Sequence, residues 1–132
     1  MSEKTLKELE AAAKSASAHS YSPYSGFAVG AAVLTEDGRV YSGANVENAS
    51  YGLSNCAERT AIFKAVADGA RAIKLVVVYT PTSEPATPCG ACRQVIREFG
   101  PDAVCVSTCD SERRFEATLR DLLPDSFGPE NL

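Results

Sequence analysis

The chain has 132 residues, of which 45% are hydrophobic and 23% charged, and its formal net charge is −4. This composition is typical of a globular protein and excludes a disordered chain, a collagen-like fibre and a small disulfide-held scaffold. The length fits one domain over residues 1–132. Polynucleotide binding is disfavoured because it needs a clustered basic face, and the longest basic run is Arg113-Arg114.

The sequence contains no apolar stretch near the ~20 residues that a membrane span needs. No hydrophobic signal core follows residues 1–5. Its five cysteines are an odd number, which favours metal binding or catalysis in a reducing compartment over disulfides. We therefore expect a cytoplasmic enzyme that binds neither nucleic acid nor a membrane.

The first predicted element is a helix over residues 5–18, which is rich in Ala, Leu, Glu and Lys. After a break at residues 22–26, an apolar run predicts a strand over residues 27–34. Asp37-Gly38 predicts a hairpin turn to a strand over residues 40–44, because Asp-Gly tolerates the positive φ of tight turns.

Helices and apolar strands alternate along the rest of the chain. The predicted elements are a helix over 56–68 that ends at Gly69, a strand over 73–79, a Pro-rich loop over 80–88, a helix over 89–99, strands over 104–108 and 115–119, and a helical turn over 119–123. This order predicts an α/β fold, a three-layer α/β/α sandwich.

Two short motifs contain residue types that bind zinc. Zinc prefers thiolate and imidazole ligands, and the C-x-x-C pair of Cys89 and Cys92 can supply two of them. Cys56 is the best candidate for a third ligand, because it begins a predicted helix whose N-terminus stabilises a thiolate. The only histidine, His19, has no ligand-like spacing to any cysteine, and its isolation disfavours Ser-His or Cys-His catalysis.

Glu58 has two interpretations. If Asn55 is the N-cap of the helix, Asn55 and Glu58 form a capping box. Alternatively, three protein ligands leave zinc one open position, as in catalytic sites, and a carboxylate two residues from Cys56 can reach a water held there. The pairing of this helix with a helix that carries a C-x-x-C motif favours the second interpretation. Arg59 is either a solvated helix residue or a partner of the sulfur atoms that offsets part of their negative charge.

A structural zinc site with four thiolates is the alternative to a catalytic one. Cys105 or Cys109 would then be the fourth ligand, and the protein would be a small interaction module. Free cysteine is also a common buried apolar residue, which is what we expect for both.

Taken together, these motifs resemble those of the short, homotetrameric, zinc-dependent cytidine deaminases. The resemblance covers nearly the whole chain and rests on residues 21–30, 45–48, 56–61, 88–94 and 122–127. It implies a mixed five-stranded sheet flanked by helices, and a homotetramer with active sites at its subunit interfaces. It also implies one zinc ion per subunit and hydrolysis of cytidine and 2′-deoxycytidine to uridine and 2′-deoxyuridine in pyrimidine salvage. Cys56, Cys89 and Cys92 would bind the zinc, and Glu58 would transfer protons.

The same resemblance implies five substrate-binding residues. Asn45 and Glu47 would hydrogen-bond the ribose hydroxyls, and Phe27 would pack on the pyrimidine ring. The backbone of Ala57 would help to hold the pyrimidine carbonyl, and Phe127 would reach the base in a neighbouring subunit's site. Structural interpretations remain open: Phe27 as the first core residue of a strand, Asn45 and Glu47 as a turn residue and a solvated acid, and Phe127 as part of a frayed tail.

Three other deaminase specificities are less favoured. A polynucleotide substrate conflicts with the acidic balance and with Asn45 and Glu47 as ribose ligands. The nucleoside antibiotic blasticidin S is disfavoured because residues 45–48 are similar to those of the cytidine enzymes. Purine and guanine deaminases usually have a histidine ligand where this chain has Cys56.

Overall fold

The computed structural model describes residues 2–132 and has helices packed on both faces of one sheet. In chain order its elements are α1 (Glu3–Ser17), β1 (Gly30–Thr35), β2 (Val40–Ala44), a 3₁₀ turn (Tyr51–Leu53), α2 (Ala57–Ala67), β3 (Ile73–Tyr79), α3 (Gly90–Phe99), β4 (Val104–Thr108), β5 (Phe115–Thr118), α4 (Leu119–Leu122) and a second 3₁₀ turn (Pro129–Asn131). Within residues 2–132, every helix falls short of the length and apolar character of a membrane span.

The sheet has five strands in the order β2-β1-β3-β4-β5 over the described residues. β3 and β4 run parallel, and the other neighbouring pairs are antiparallel. The sheet is therefore mixed, and the predicted α/β sandwich with five strands is confirmed.

The central strand β3 is apolar on both faces because both faces are covered. Leu75 and Val77 pack with α1, whereas Val76 and Val78 pack with α2 and α3. Successive side chains of a strand point to opposite faces, so a continuous apolar run suits a strand buried between two helical layers. The predicted bounds of β2, β3 and β4 are confirmed.

Helix α1 approaches the sheet most closely at Gly30. A Cβ atom at this position would lie 1.8 Å from the carbonyl oxygen of Ala13, far inside any tolerated contact. Glycine therefore permits the helix backbone to rest on β1. The predicted hairpin turn is also confirmed, since Gly38 has φ +91°.

Strand β1 begins later than predicted, at Gly30 rather than at residue 27. The side chain of Asn45 occupies the backbone groups that a longer strand would use. Its Nδ2 donates to the Phe27 carbonyl at 2.8 Å, and the Val29 N–H donates to its Oδ1 at 2.9 Å. Residues 27–29 consequently form a loop beside the candidate site rather than part of the sheet.

The helices differ from the prediction only at their ends. α1 begins at Glu3, two residues earlier than expected, because Ser2 caps it by accepting the Thr5 N–H at 3.1 Å. The two 3₁₀ turns were not predicted.

At the carboxyl end of β3, the Tyr79 hydroxyl donates to Asp110, which follows β4. This hydrogen bond raises the pKa of Tyr79 to about 12.

Candidate metal centre

Three cysteines meet where α2 and α3 begin. Cys56 is the N-cap of α2, Cys89 is the N-cap of α3, and Cys92 is the third residue of α3. Their Sγ atoms all lie within 4.8 Å of one another, and the Cys56 and Cys89 sulfurs are 3.9 Å apart. The structure thus brings together the three cysteines that the sequence indicated.

The spacing and chemistry of this cluster suit zinc. Thiolate ligands at about 2.3 Å in a tetrahedron are separated by about 3.8 Å, close to the distance between the Cys56 and Cys89 sulfurs. Two helix N-termini face the cluster, and their partial positive charge stabilises thiolates. Three sulfur donors leave a fourth tetrahedral position for a ligand other than these cysteines.

Neither remaining cysteine joins this cluster among residues 2–132. Cys105 is buried in the core between the sheet and its helices, and burial raises the pKa of its thiol to about 11. The Cys109 sulfur lies 3.3 Å from the Ser111 hydroxyl instead. The four-thiolate alternative therefore has no support in this part of the chain.

Charge at the cluster is distributed unevenly. The pKa of Cys56 lies well below that of an ordinary thiol, because the neighbouring Cys92 thiol and the Arg59 guanidinium stabilise its thiolate. The pKa of Cys92 is raised by the proximity of Cys56 and by burial. The Nη2 atom of Arg59 donates to the Cys56 sulfur at 3.3 Å. Arg59 is therefore a partner of this sulfur atom, which was the second of its two interpretations. Zinc binding would displace the remaining thiol protons.

Glu58 is not a capping residue. The N-cap of α2 is Cys56 rather than Asn55, so Glu58 is the second helical residue and the capping-box interpretation is wrong. The Asn55 backbone pairs with Val46 instead, and its side-chain amide donates to Thr60 at 3.3 Å. The Glu58 side chain is buried, with 5% exposure for the residue, and burial raises the pKa of its carboxyl group.

A cavity of about 300 Å³ opens beside the cluster. It joins the cysteines and Glu58 to the residues expected to bind substrate, and hydrophobic side chains form much of its wall. Its lining residues are Ser25, Phe27, Val29, Asn45, Glu47, Cys56, Ala57, Glu58, Val78, Thr80, Ala86, Thr87 and Cys89.

Phe127 does not line this cavity. The residue is 59% exposed, and its carbonyl oxygen accepts a hydrogen bond from Gln94 Nε2 at 3.0 Å. Within residues 2–132 of one chain, the structure therefore brings together the expected substrate-binding residues except Phe127.

The Asn45 amide is held in one orientation by its neighbours. Its Oδ1 accepts hydrogen bonds from Val29 N–H and from the Ser20 hydroxyl, and its Nδ2 donates to Phe27. An amide oxygen has two lone pairs and an amide nitrogen has two hydrogens. Asn45 can therefore offer a ligand one N–H donor.

Glu47 offers the complementary acceptor. Its Oε1 accepts from the N–H groups of Tyr24 and Ser25 at 3.0 and 3.1 Å, and its Oε2 accepts from the Ser25 hydroxyl. These bonds, the Ser25 hydroxyl first, lower the pKa of Glu47. A donor on Asn45 and a carboxylate acceptor on Glu47 together suit a ligand hydroxyl, which both accepts and donates.

Sequence reasoning did not single out Ser25 or Arg93. Arg93 uses its whole guanidinium group to join the loop before α3 to the end of α4. It donates to the Pro88 carbonyl at 2.7 Å, to Thr87 Oγ1 at 3.1 Å and to the Leu122 carbonyl at 2.8 Å. Both residues lie in stretches that carry the family resemblance, but a serine in a turn and an arginine in a helix have no separate sequence signal.

Comparisons with known proteins agree with this site. Residues 3–108 match the family described as the cytidine and deoxycytidylate deaminase zinc-binding region. The chain is 48% identical over 128 residues to a cytidine deaminase of Sporosarcina psychrophila, a match that covers 96% of this chain and 94% of that protein.

Two solved structures are similar along almost their entire length. A cytidine deaminase from Burkholderia pseudomallei is 49% identical with a TM-score of 0.87, covering 96% of this chain and 100% of that one. A cytidine deaminase from Mycobacterium tuberculosis is 40% identical with a TM-score of 0.78, covering 93% and 97%. The chain therefore belongs to the family of zinc-dependent cytidine deaminases.

Proposed function

We propose that this chain hydrolyses free cytidine and 2′-deoxycytidine to uridine and 2′-deoxyuridine, with release of ammonia. One observation carries this proposal: a single cavity of about 300 Å³ connects a three-thiol cluster, a buried carboxylate and a donor–acceptor pair suited to a hydroxyl. Metal, proton carrier and sugar contact are the parts that hydrolytic deamination of a nucleoside requires.

Cys56, Cys89 and Cys92 would hold one zinc ion per subunit. When bound, zinc supplies Lewis-acid chemistry that lowers the pKa of the attacking water from about 15.7 towards ~7. Three thiolates around Zn²⁺ leave a local charge of −1. Arg59 offsets part of this charge through its hydrogen bond to Cys56, assisted by the helix N-termini.

Glu58 would carry the protons of the reaction. Its carboxylate takes a proton from the attacking water and gives it to the ring nitrogen beside the amino-bearing carbon. The water oxygen attacks that carbon and becomes a hydroxyl group on it. Glu58 then takes the remaining proton of this hydroxyl and gives it to the amino group, so that the C–N bond breaks, ammonia leaves and the carbonyl of uridine forms. Burial of Glu58 keeps bulk water from substituting for it in these transfers.

The remaining cavity residues would orient the nucleoside. Phe27 packs on the pyrimidine ring, and Ala57 donates its N–H to the pyrimidine carbonyl. As the first residue of α2, Ala57 has no intrahelical acceptor for this N–H. Asn45 donates to a ribose hydroxyl oxygen, and Glu47 accepts the hydrogen of that hydroxyl.

The charges around the site favour a nucleoside over a nucleotide. A second cavity of about 330 Å³ adjoins the first at Ser25 and Glu47 and is bounded by Tyr24, Tyr51 and Ser54. Neither cavity has a lysine or arginine among its described lining residues. A 5′-phosphate would therefore find no cationic partner among these lining residues of the chain, and Glu47 would repel it.

We propose further that the enzyme acts as a homotetramer in the cytoplasm, in pyrimidine salvage. The exposed position of Phe127, outside the cavity of its own chain, supports a role in a neighbouring subunit. Tyr51 and Leu53 are 75% and 71% exposed, and such apolar side chains suit burial against another copy. The five cysteines are all free, as expected in a reducing compartment.

Deamination is measured as the fall in ultraviolet absorbance on addition of cytidine, together with the zinc content of the purified protein. We expect bound zinc and rapid turnover of cytidine and 2′-deoxycytidine, and loss of activity on chelation that zinc restores. Cytidine 5′-monophosphate should react roughly 100-fold less efficiently, since its charge would be unpaired, and single-stranded DNA should not react. A zinc-loaded protein that prefers the monophosphate or DNA would overturn the proposal.

A further inference from the structure

The turn over residues 22–26 is built around the Glu47 carboxylate. The N–H groups of Tyr24 and Ser25 donate to one carboxylate oxygen, and the Ser25 hydroxyl donates to the other. The turn is closed by a hydrogen bond from Gly26 N–H to the Ser22 carbonyl at 2.9 Å. Gly26 has φ +67°, a conformation that favours glycine. Both oxygens of Glu47 are thus oriented by one short segment far from it in sequence.

Within this turn, the Ser25 hydroxyl has two roles. It donates to Glu47 Oε2 and accepts the Phe27 N–H at 3.0 Å. Ser25 therefore connects the Glu47 carboxylate, which is proposed to bind the sugar, to the backbone of Phe27, which is proposed to pack on the base. Ser25 itself lines the cavity.

We propose that Ser25 is a positioning residue for sugar recognition, which fixes Glu47 in the orientation that accepts the ribose hydroxyl. This inference rests on the proposed function, and specifically on the binding of a sugar hydroxyl by Asn45 and Glu47. A glutamate side chain has several rotatable bonds, and holding it in its bound conformation before the substrate arrives removes an ordering cost from binding. The backbone N–H groups contact only Oε1, so the hydroxyl of Ser25 is what restrains Oε2.

The test compares two substrates, cytidine and 2′,3′-dideoxycytidine, which lacks the 2′- and 3′-hydroxyls and keeps the 5′-hydroxyl. In Ser25→Ala we expect kcat/KM for cytidine to fall by about 10–100-fold, the range of a lost hydrogen bond to a charged group. For 2′,3′-dideoxycytidine the fall should be at least ten times smaller, so the ratio of the two kcat/KM values should drop by about tenfold or more. A general disturbance of the turn or of Phe27 would lower both values together and leave the ratio unchanged.

Three further variants complete the experiment. Ser83→Ala is the matched control, since Ser83 is exposed and lines neither of the two cavities at the site, and its ratio should equal that of the unmodified enzyme. Ser25→Thr keeps the hydroxyl and should restore the ratio. If Ser25→Ala fails to fold, Ser25→Cys takes its place. Cysteine is nearly isosteric with serine but donates only a weak hydrogen bond, so this variant should also lower the ratio.

An unchanged ratio in Ser25→Ala or Ser25→Cys would overturn the inference while leaving the proposed function intact. If the unmodified enzyme turned over both substrates equally well, the assignment of Asn45 and Glu47 to a 2′- or 3′-hydroxyl would be wrong, and the inference with it. Absence of any cytidine deamination in the zinc-loaded enzyme would instead refute the proposed function itself.

Discussion

Replacement of Glu58 by glutamine separates proton transfer from the other contributions of this residue. Glutamine has the same number of side-chain heavy atoms, so it can occupy the buried position of Glu58 without leaving a cavity. It adds no charge to the centre and alters none of the three cysteines. It cannot, however, accept a proton from water at neutral pH.

The expected loss follows from the role and burial of the carboxylate. General acid–base catalysis is typically worth about 10²–10⁴-fold in rate, which corresponds to about 2.7–5.4 kcal/mol of activation free energy. Glu58 is 5% exposed, so bulk water cannot easily substitute for it, and it is proposed to move two protons in each turnover. We therefore expect kcat of Glu58→Gln to fall by at least about that factor.

Turnover of cytidine would be followed by ultraviolet absorbance, and zinc content and unfolding free energy would be measured on the same samples. Zinc content should match that of the unmodified protein, and stability should not fall. Glu98→Gln, at an exposed position of α3, is the matched control and should keep full activity. Near-normal kcat in fully zinc-loaded Glu58→Gln would refute the proton-transfer role. Loss of zinc together with activity would indicate that Glu58 is needed to form the centre.

The fold and the free thiols give three more predictions. Gly30→Ala should lower the unfolding free energy in urea by about 1–3 kcal/mol or more, measured at one protein concentration, because its Cβ would overlap the backbone of α1. Cys105→Ser combined with Cys109→Ser should retain zinc, measured by metal analysis, and release of the metal would restore the four-thiolate alternative. The pKa of Tyr79 is about 12 in the folded protein against 10.0 ordinarily, so its protonated form stabilises the fold below pH 10. That stabilisation is lost as the pH rises from 10 towards 12, and Tyr79→Phe should reduce this part of the pH dependence in urea unfolding.

The elements that sequence reasoning located correctly are those that hydrophobic patterning alone determines. The apolar run of β3 and the strand β2 that follows the Asp37-Gly38 turn needed only local information, and their bounds agree with the structure. The start of β1 was wrong for a reason that no local pattern contains. Asn45, which follows the neighbouring strand, uses its side chain to hydrogen-bond the Phe27 carbonyl and the Val29 N–H, so these two groups are not available for strand pairing.

The residues of the candidate site were likewise only partly predictable from the sequence. The three cysteines were predictable because zinc ligation restricts residue type and spacing strongly. The role of Glu58 was ambiguous because capping and catalysis use the same residue near a helix start, and the choice depended on whether Asn55 or Cys56 is the N-cap. Ser25 was missed because its importance comes from a contact with Glu47, 22 positions away along the chain.

The site and the core are stabilised by different kinds of contact, and this difference connects the predictions. Apolar side chains hold the sheet between α1 on one face and α2 with α3 on the other. The cavity is assembled from separate segments through polar contacts, such as Ser25 with Glu47, Asn45 with Phe27, and Cys56 with Cys89. Each of these is an isolated contact near the surface, so its loss removes little buried apolar area. Substitutions there should therefore reduce activity more than stability, whereas Gly30→Ala, which disturbs the packing of a helix on the sheet, should reduce stability first.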